Sequence, residues 1–192
     1  MPKIYTKTGD KGNTGTFYGR ISKSDQLARA LGAVDELNSW VGLCRSYISP
    51  SLIPPLTSQD ASRRIDLRGG KRAKRGGGDI DAELKHIQKN LLTIGSALSG
   101  SGLKITAAET RNLEKLIDKL TKDLPKLANF IYPKGELQLA RSVARRAERE
   151  VVALEIKDKN ILKYLNRLSD ALFTMGRWVN AKQGKEEEVW KV

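Results

Sequence analysis

At 192 residues the chain is long enough for one well-filled domain and short for two. Its 39% hydrophobic, 30% charged and 6% aromatic residues exclude collagen-like, disulfide-scaffold and mostly disordered classes. Lys and Arg number 35 against 22 Asp and Glu, a net +13 that draws anions such as nucleotides, phosphates, nucleic acid or acidic lipid.

The first 25 residues carry no helical period. Lys3 to Gly19 holds Gly9, Gly12, Gly15 and Gly19 together with Thr6, Thr8, Thr14 and Thr16. Glycines admit a phosphate close to the backbone, and hydroxyls with Lys7, Lys11 and Lys23 can contact its oxygens. The P-loop pattern cannot be laid on this stretch. On composition alone an ordered arm across a helical body is the preferred reading. The opening Met-Pro-Lys-Ile-Tyr-Thr-Lys does not read as a signal peptide, and no apolar run approaches the ~18 residues of a membrane span. A cytoplasmic protein is expected.

Helical seams follow. Leu27, Ala30, Val34, Leu37, Val41, Cys44 and Ile48 alternate by three and four, before Pro50. The segment 58–79 is basic and glycine-rich and reads as a flexible linker. A second seam runs Ile80, Leu84, Ile87, Leu91, Ile94 and Leu98. Thr106 and Glu109 suggest a capping box before a third, with Leu113, Leu116, Leu120 and Leu124. A fourth spans roughly 136–156, with Ala140, Ala144, Ala147, Val151 and Leu154 inward. Asp158 is placed to cap a fifth, with Ile161, Leu165, Leu168, Leu172, Met175 and Val179. Five helices with little strand content predict an all-α bundle.

Chemistry has few possible carriers. Cys44 has no cysteine to pair with, and His86 has no second ligand at metal spacing, so His86 reads as a helix-surface residue. Di-iron bundles, which need Glu-x-x-His pairs, are excluded. Arg141, Arg145 and Arg149 stack at i, i+4 and i+8, where like charges cost about 0.2–0.5 kcal/mol per pair. Glu148 relieves part of this, and the remainder fits equally an anion or partner carboxylate gripped by guanidinium forks and a solvated basic face. Arg146 projects about 140° away from Arg141. Asn166, Ser169 and Asp170 lie beside the fifth seam, and Asp35 beside the first, where uncommitted polar groups are costly.

Four blocks in order resemble the PduO-type ATP:cob(I)alamin adenosyltransferases. They are Lys3-Ile-Tyr-Thr-Lys-Thr-Gly-Asp-Lys-Gly12, Val34-Asp-Glu-Leu-Asn-Ser-Trp40, Arg141-Ser-Val-Ala-Arg-Arg-Ala-Glu-Arg149 and Leu165-Asn-Arg-Leu-Ser-Asp170. The resemblance spans the whole chain as one domain, except the linker. It implies a homotrimer of five-helix bundles of ferritin-like architecture, with ATP at each subunit interface. By position, Thr6, Lys7, Thr8, Gly9, Asp10, Thr14 and Gly15 would wrap the nucleotide, with Lys23 on its phosphates. Arg145, Arg146, Glu148, Arg149 and Asn166 match the family's other ATP contacts. Arg141 aligns with an arginine that pairs with a neighbouring subunit's aspartate, here Asp35. Phe130 aligns with the aromatic that abuts the corrin and displaces its lower ligand.

The implied reaction transfers the 5′-deoxyadenosyl group of ATP to the cobalt of cob(I)alamin and releases triphosphate. Arg145, Asn166 and Phe130 would be its catalytic residues, with Mg²⁺ beside the ATP. A Co(II) reductase and an adenosylcobalamin-dependent enzyme would be its partners. The nucleophile belongs to the corrinoid, which is why one histidine and one cysteine suffice. Two rivals use parts of the same sequence. Nucleic-acid binding through residues 63–75 has only charge in its favour, without a helix-turn-helix, zinc or stacking motif. A non-catalytic trimer that senses or stores the adenosylated cofactor would use the same residues.

Overall fold

In a computed structural model, residues 3–48 and 80–191 are described. The linker expected at 58–79, including the basic run 63–75, lies outside the described residues. Among the described residues the chain is mostly helical, with five helices and one two-stranded sheet. The strands are β1 (Asn13–Thr16) and β2 (Gly19–Ser22). The helices are α1 (Gln26–Ile48), α2 (Ile80–Leu98), α3 (Ala107–Thr121), α4 (Glu136–Val152) and α5 (Lys159–Lys182).

Each helix forms where a three-four seam can be buried. Leu37, Val41 and Cys44 of α1 are wholly buried, as are Leu84 and Ile94 of α2 and Leu165, Leu168 and Leu172 of α5. A Leu of this kind contributes about 1.5–3 kcal/mol by leaving water. Pairing follows from these faces. α1 packs on α2 and α4, and α5 packs on α3 and α4. Between α2 and α3, His86 Nε2 meets Glu109 Oε2 at 2.6 Å, and the Asn90 amide donates to the same carboxylate at 3.0 Å and to Tyr164 of α5 at 3.2 Å.

The helix ends partly follow expectation. Asp158 accepts from the Asn160 N–H at 2.9 Å, as its N-cap position predicts, and Asp25 does the same for Leu27 at 2.8 Å. The capping box at α3 does not form. Thr106 occupies the N-cap position with no side-chain bond, and the Glu109 carboxylate turns to His86 and Asn90 instead of the Thr106 N–H. Those interhelical donors replace a solvent-facing backbone N–H.

The N-terminal arm is more regular than its composition suggests. Thr14 pairs with Ile21 and Gly15 with Arg20 in an antiparallel hairpin, where half-buried positions alternate with exposed ones. Its turn is anchored to the end of α2. The Phe17 N–H donates to the Ser99 carbonyl at 2.9 Å, and the Tyr18 ring covers Gly100 so closely that a Cβ there would lie 2.8 Å from the ring.

Candidate active site

Two groups of expected site residues occupy separate places. The first is the loop that enters β1. Lys7 adopts φ 58°, a left-handed conformation that a lysine accepts at a cost, and the chain then turns back with Gly12 N–H donating to Gly9 O at 3.2 Å. Thr6 and Thr8 share a hydroxyl hydrogen bond of 2.8 Å. The Lys23 N–H donates to Gly12 O at 2.8 Å, and its ammonium lies 3.3 Å from where a Cβ of Gly9 would sit. Glycine at position 9 therefore keeps a lysine head against bare backbone. Thr6, Lys7, Thr8 and Asp10 are exposed, and Gly9 and Thr14 are partly buried.

The second group lies between α4, α5 and the segment before α4, around a cavity of about 380 Å³. Phe130, Arg141, Arg145, Ser169, Asp170 and Phe173 are among its lining. The Arg141 guanidinium stands over the Phe173 ring at 5.4 Å, and the Arg177 guanidinium over the same ring at 5.9 Å. Phe130 is 78% exposed, an expense for an aromatic that faces only water. One turn of helix further, Asn166 donates to the Glu148 carboxylate at 3.0 Å and links α5 to α4. Arg145 and Arg149 are exposed and enter no ion pair among the described residues. Arg146 leaves this group, as its helical angle requires, and pairs with Glu36 of α1. Asp35 of α1 is exposed, and no intrachain bond joins it to Arg141.

Sequence reasoning missed what holds the rim. The C-terminal segment crosses the Phe130 segment, with Ile131 bridging Val189 and the Tyr132 N–H donating to Glu188 O at 2.9 Å. Trp190 lies beside Phe130, ring centroids 6.2 Å apart. Beneath them the nearly buried Arg177 grips Glu187 at 2.6 and 3.0 Å and Pro125 O at 2.8 Å. Val189 followed by Trp190 after a run of glutamates was the available signal. Phe173 left none, since an aromatic next to a seam also reads as core.

Cys44 and Tyr164 stand apart from both places. The Cys44 thiol is wholly buried and pushed up to about 12, chiefly by burial, with the Glu136 charge adding to it. Burial raises the Tyr164 hydroxyl as well. The cationic and aromatic side chains at both places are suited to orient a bound molecule.

The cobalamin adenosyltransferase family profile matches residues 4–179. The corrinoid adenosyltransferase MMAB of Bos taurus is 38% identical over 210 residues, covering 100% of this chain and 77% of the relative. A corrinoid adenosyltransferase of Bacillus subtilis is 38% identical over 194 residues, covering 95% and 89%. Among solved structures, a PduO-type ATP:corrinoid adenosyltransferase variant from Lactobacillus reuteri complexed with cobalamin and ATP superposes with TM-score 0.79 at 30% identity, covering 99% of this chain and 100% of that one. Another variant of that enzyme, complexed with ATP, gives 0.77 at 31%, covering 98% and 100%. With a matching profile over most of its length and relatives this similar, the chain belongs to the cobalamin adenosyltransferase family.

Proposed function

We propose that the chain transfers the 5′-deoxyadenosyl group of ATP to the cobalt of cob(I)alamin at a site completed by a second copy of itself. The observation that carries this reading is the cavity that gathers Phe130, Arg141 and Arg145 while no residue of the N-terminal nucleotide loop lines it. The site falls into two halves: Phe130 and Arg145 line the cavity, with Glu148, Arg149 and Asn166 beyond it on α4 and α5, and the other expected ATP contacts except Arg146 lie around the hairpin. A homotrimer of five-helix bundles brings such halves together across each interface. Arg141 and the exposed Asp35 then pair between protomers, and the arginine stripe acquires the counter-charge it lacks within one chain.

In the reaction, the electron pair of Co(I) attacks C5′ of the ribose. The cobalt–carbon bond forms as the C5′–O bond breaks, and the pair leaves with triphosphate. The protein need only hold cobalt, C5′ and the leaving oxygen in line, worth about 7–11 kcal/mol when positioning is good, and oppose the charge that grows on the leaving group. Lys23, Arg145 and Arg149 serve the second task. Asn166, fixed by Glu148, orients the nucleotide, with Thr6, Lys7, Thr8, Gly9, Asp10, Thr14 and Gly15 around it. Phe130 denies the lower axial face to a ligand, which makes Co(II) easier to reduce. Mg²⁺, which binds such substrates chiefly through their phosphates, would accompany the ATP.

A reductase that supplies Co(I) and an acceptor that uses the adenosylated product are the partners this chemistry requires. Among the described residues no helix is long and apolar enough to cross a membrane, and we assign the chain to the cytoplasm. Anaerobic incubation with ATP and chemically reduced cobalamin tests the reading directly. The visible spectrum is expected to pass to that of an alkyl-cobalt species, and sedimentation to report three copies. A spectrum that stays that of the reduced corrinoid, or a monomer at working concentration, overturns it.

A further inference from the structure

Arg20 lies outside every residue set considered so far, yet it is the side chain that ties the nucleotide loop to the hairpin. Its Nη2 donates to the carbonyl of Thr8 and, at 3.3 Å, to the carbonyl of Asn13. These two carbonyls flank the turn formed by residues 9–12. The turn's own bonds are modest, 3.4 Å from the Asp10 N–H to Lys7 O and 3.2 Å from the Gly12 N–H to Gly9 O, and Lys7 enters it in a left-handed conformation. Local bonding alone holds such a loop weakly.

The tether also sets polarity. A trans peptide directs its C=O and its N–H to opposite sides. With the Thr8 carbonyl turned to Arg20, the Gly9 N–H is turned away from it, and that N–H donates to no group among the described residues. Close to Gly9 stands the Lys23 ammonium. A free N–H beside an ammonium is a cradle for a phosphate oxygen. We propose that Arg20 is a positioning residue for the nucleotide: it bridges Thr8 and Asn13 so that the Gly9 N–H and Lys23 face the phosphates together. The proposal rests on the nucleotide reading of this loop and adds a residue to it. In this role Arg20 directs Nη2 at the two backbone carbonyls and acts on the nucleotide through the loop.

Two variants separate a bridge from a charge. Arg20→Met removes the donors, and Arg20→Lys keeps the cation but ends one bond short of the Nη2 position that meets both carbonyls. Both are expected to raise KM for ATP about tenfold, the value of two modest hydrogen bonds, with kcat at saturating ATP within about twofold. Amide exchange at residues 8–13 of the free protein should quicken in both, while the melting temperature holds, because Arg20 is exposed. A fully active Arg20→Lys beside a defective Arg20→Met would mean charge, not bridging, and overturns the proposal. So would unchanged exchange at residues 8–13. Equal ATP binding by wild type and Arg20→Met overturns the tether and leaves the nucleotide reading standing. A wild-type chain that binds neither ATP nor inorganic triphosphate overturns that reading and the tether with it.

Discussion

Trp190 holds Phe130 in two ways: its backbone N–H donates to the Phe130 carbonyl at 2.9 Å, and its ring tilts against the phenyl at 59° with centroids 6.2 Å apart. The bond fixes where the Phe130 backbone runs, and the ring contact narrows the directions the phenyl can take. An aromatic pair of this geometry adds about 0.5–1.5 kcal/mol beyond area burial. If Phe130 must stand rigidly under a corrin, Trp190→Ala should lower the rate with reduced cobalamin about tenfold and leave ATP affinity unchanged. Steady-state assays at varied corrinoid and a separate ATP titration distinguish the two effects. An unchanged corrinoid rate would remove Trp190 from the wall.

Arg145→Ala tests the other side of the same cavity, and Asn166→Ala the turn of α5 beside it. Both side chains are exposed and neither packs in the core, so circular dichroism, melting temperature and oligomeric state should be retained. Loss of the Arg145 charge from a departing triphosphate is expected to reduce kcat about 100-fold. Asn166→Ala also frees Glu148, whose negative charge then faces the phosphates, so its loss should grow as ionic strength falls. Near-normal turnover in either variant would contradict its assignment.

The helical frame was legible because burial has a period. From Leu27 to Cys44 and from Ile80 to Leu98 the three-four spacing needs no tertiary knowledge, and almost all of those positions are buried. The hairpin was not, since four-residue strands are too short for alternation to stand out among glycines. Contacts that depend on where a side chain turns were hidden as well. Glu109 satisfies a capping pattern in sequence, yet its partners His86 and Asn90 lie on another helix. Arg177 reads as a surface charge at the end of a seam, and only the returning C-terminal segment brings Glu187 to bury it. The arginine stripe was visible from spacing, whereas Phe173, whose ring meets the guanidiniums of Arg141 and Arg177, was not.

Gly100 offers a test of the hairpin's anchorage. Its φ of +101° lies where side chains are rarely tolerated, and an added Cβ would meet the Tyr18 ring at 2.8 Å. Gly100→Ala must therefore shift both the α2 exit and the turn at Phe17 and Tyr18. A stability loss of about 1–2 kcal/mol is expected from the backbone strain. The functional effect should appear as a raised KM for ATP, with the corrinoid dependence intact. Tyr18→Ala, which makes room for the methyl group, should recover part of the KM when combined with it. No recovery in the double variant would place the defect in α2 and not in the hairpin.

Glu109 gives the fold a defined sensitivity to acid. Burial pushes its carboxyl upward, but hydrogen bonds from His86 and Asn90 and the His86 charge outweigh this and hold it below the usual carboxylate value, about 4.3. A group depressed in the native state contributes stability that is complete above its unfolded pKa and is lost as pH falls through the lowered native one. The wild-type urea midpoint should therefore drop as the solution is taken from about pH 5 down to pH 3. Tyr164, which completes the network through Asn90, is raised by burial and stays neutral throughout. Glu109→Gln keeps the shape and an acceptor for Asn90 but has no proton to take up. Its stability should be lower at pH 7 by about 1–2 kcal/mol, the worth of a charge-assisted bond, and its urea midpoint should fall less steeply with acid. Parallel pH profiles for the two proteins would show that this carboxylate is not the group whose protonation loosens α2 from α3.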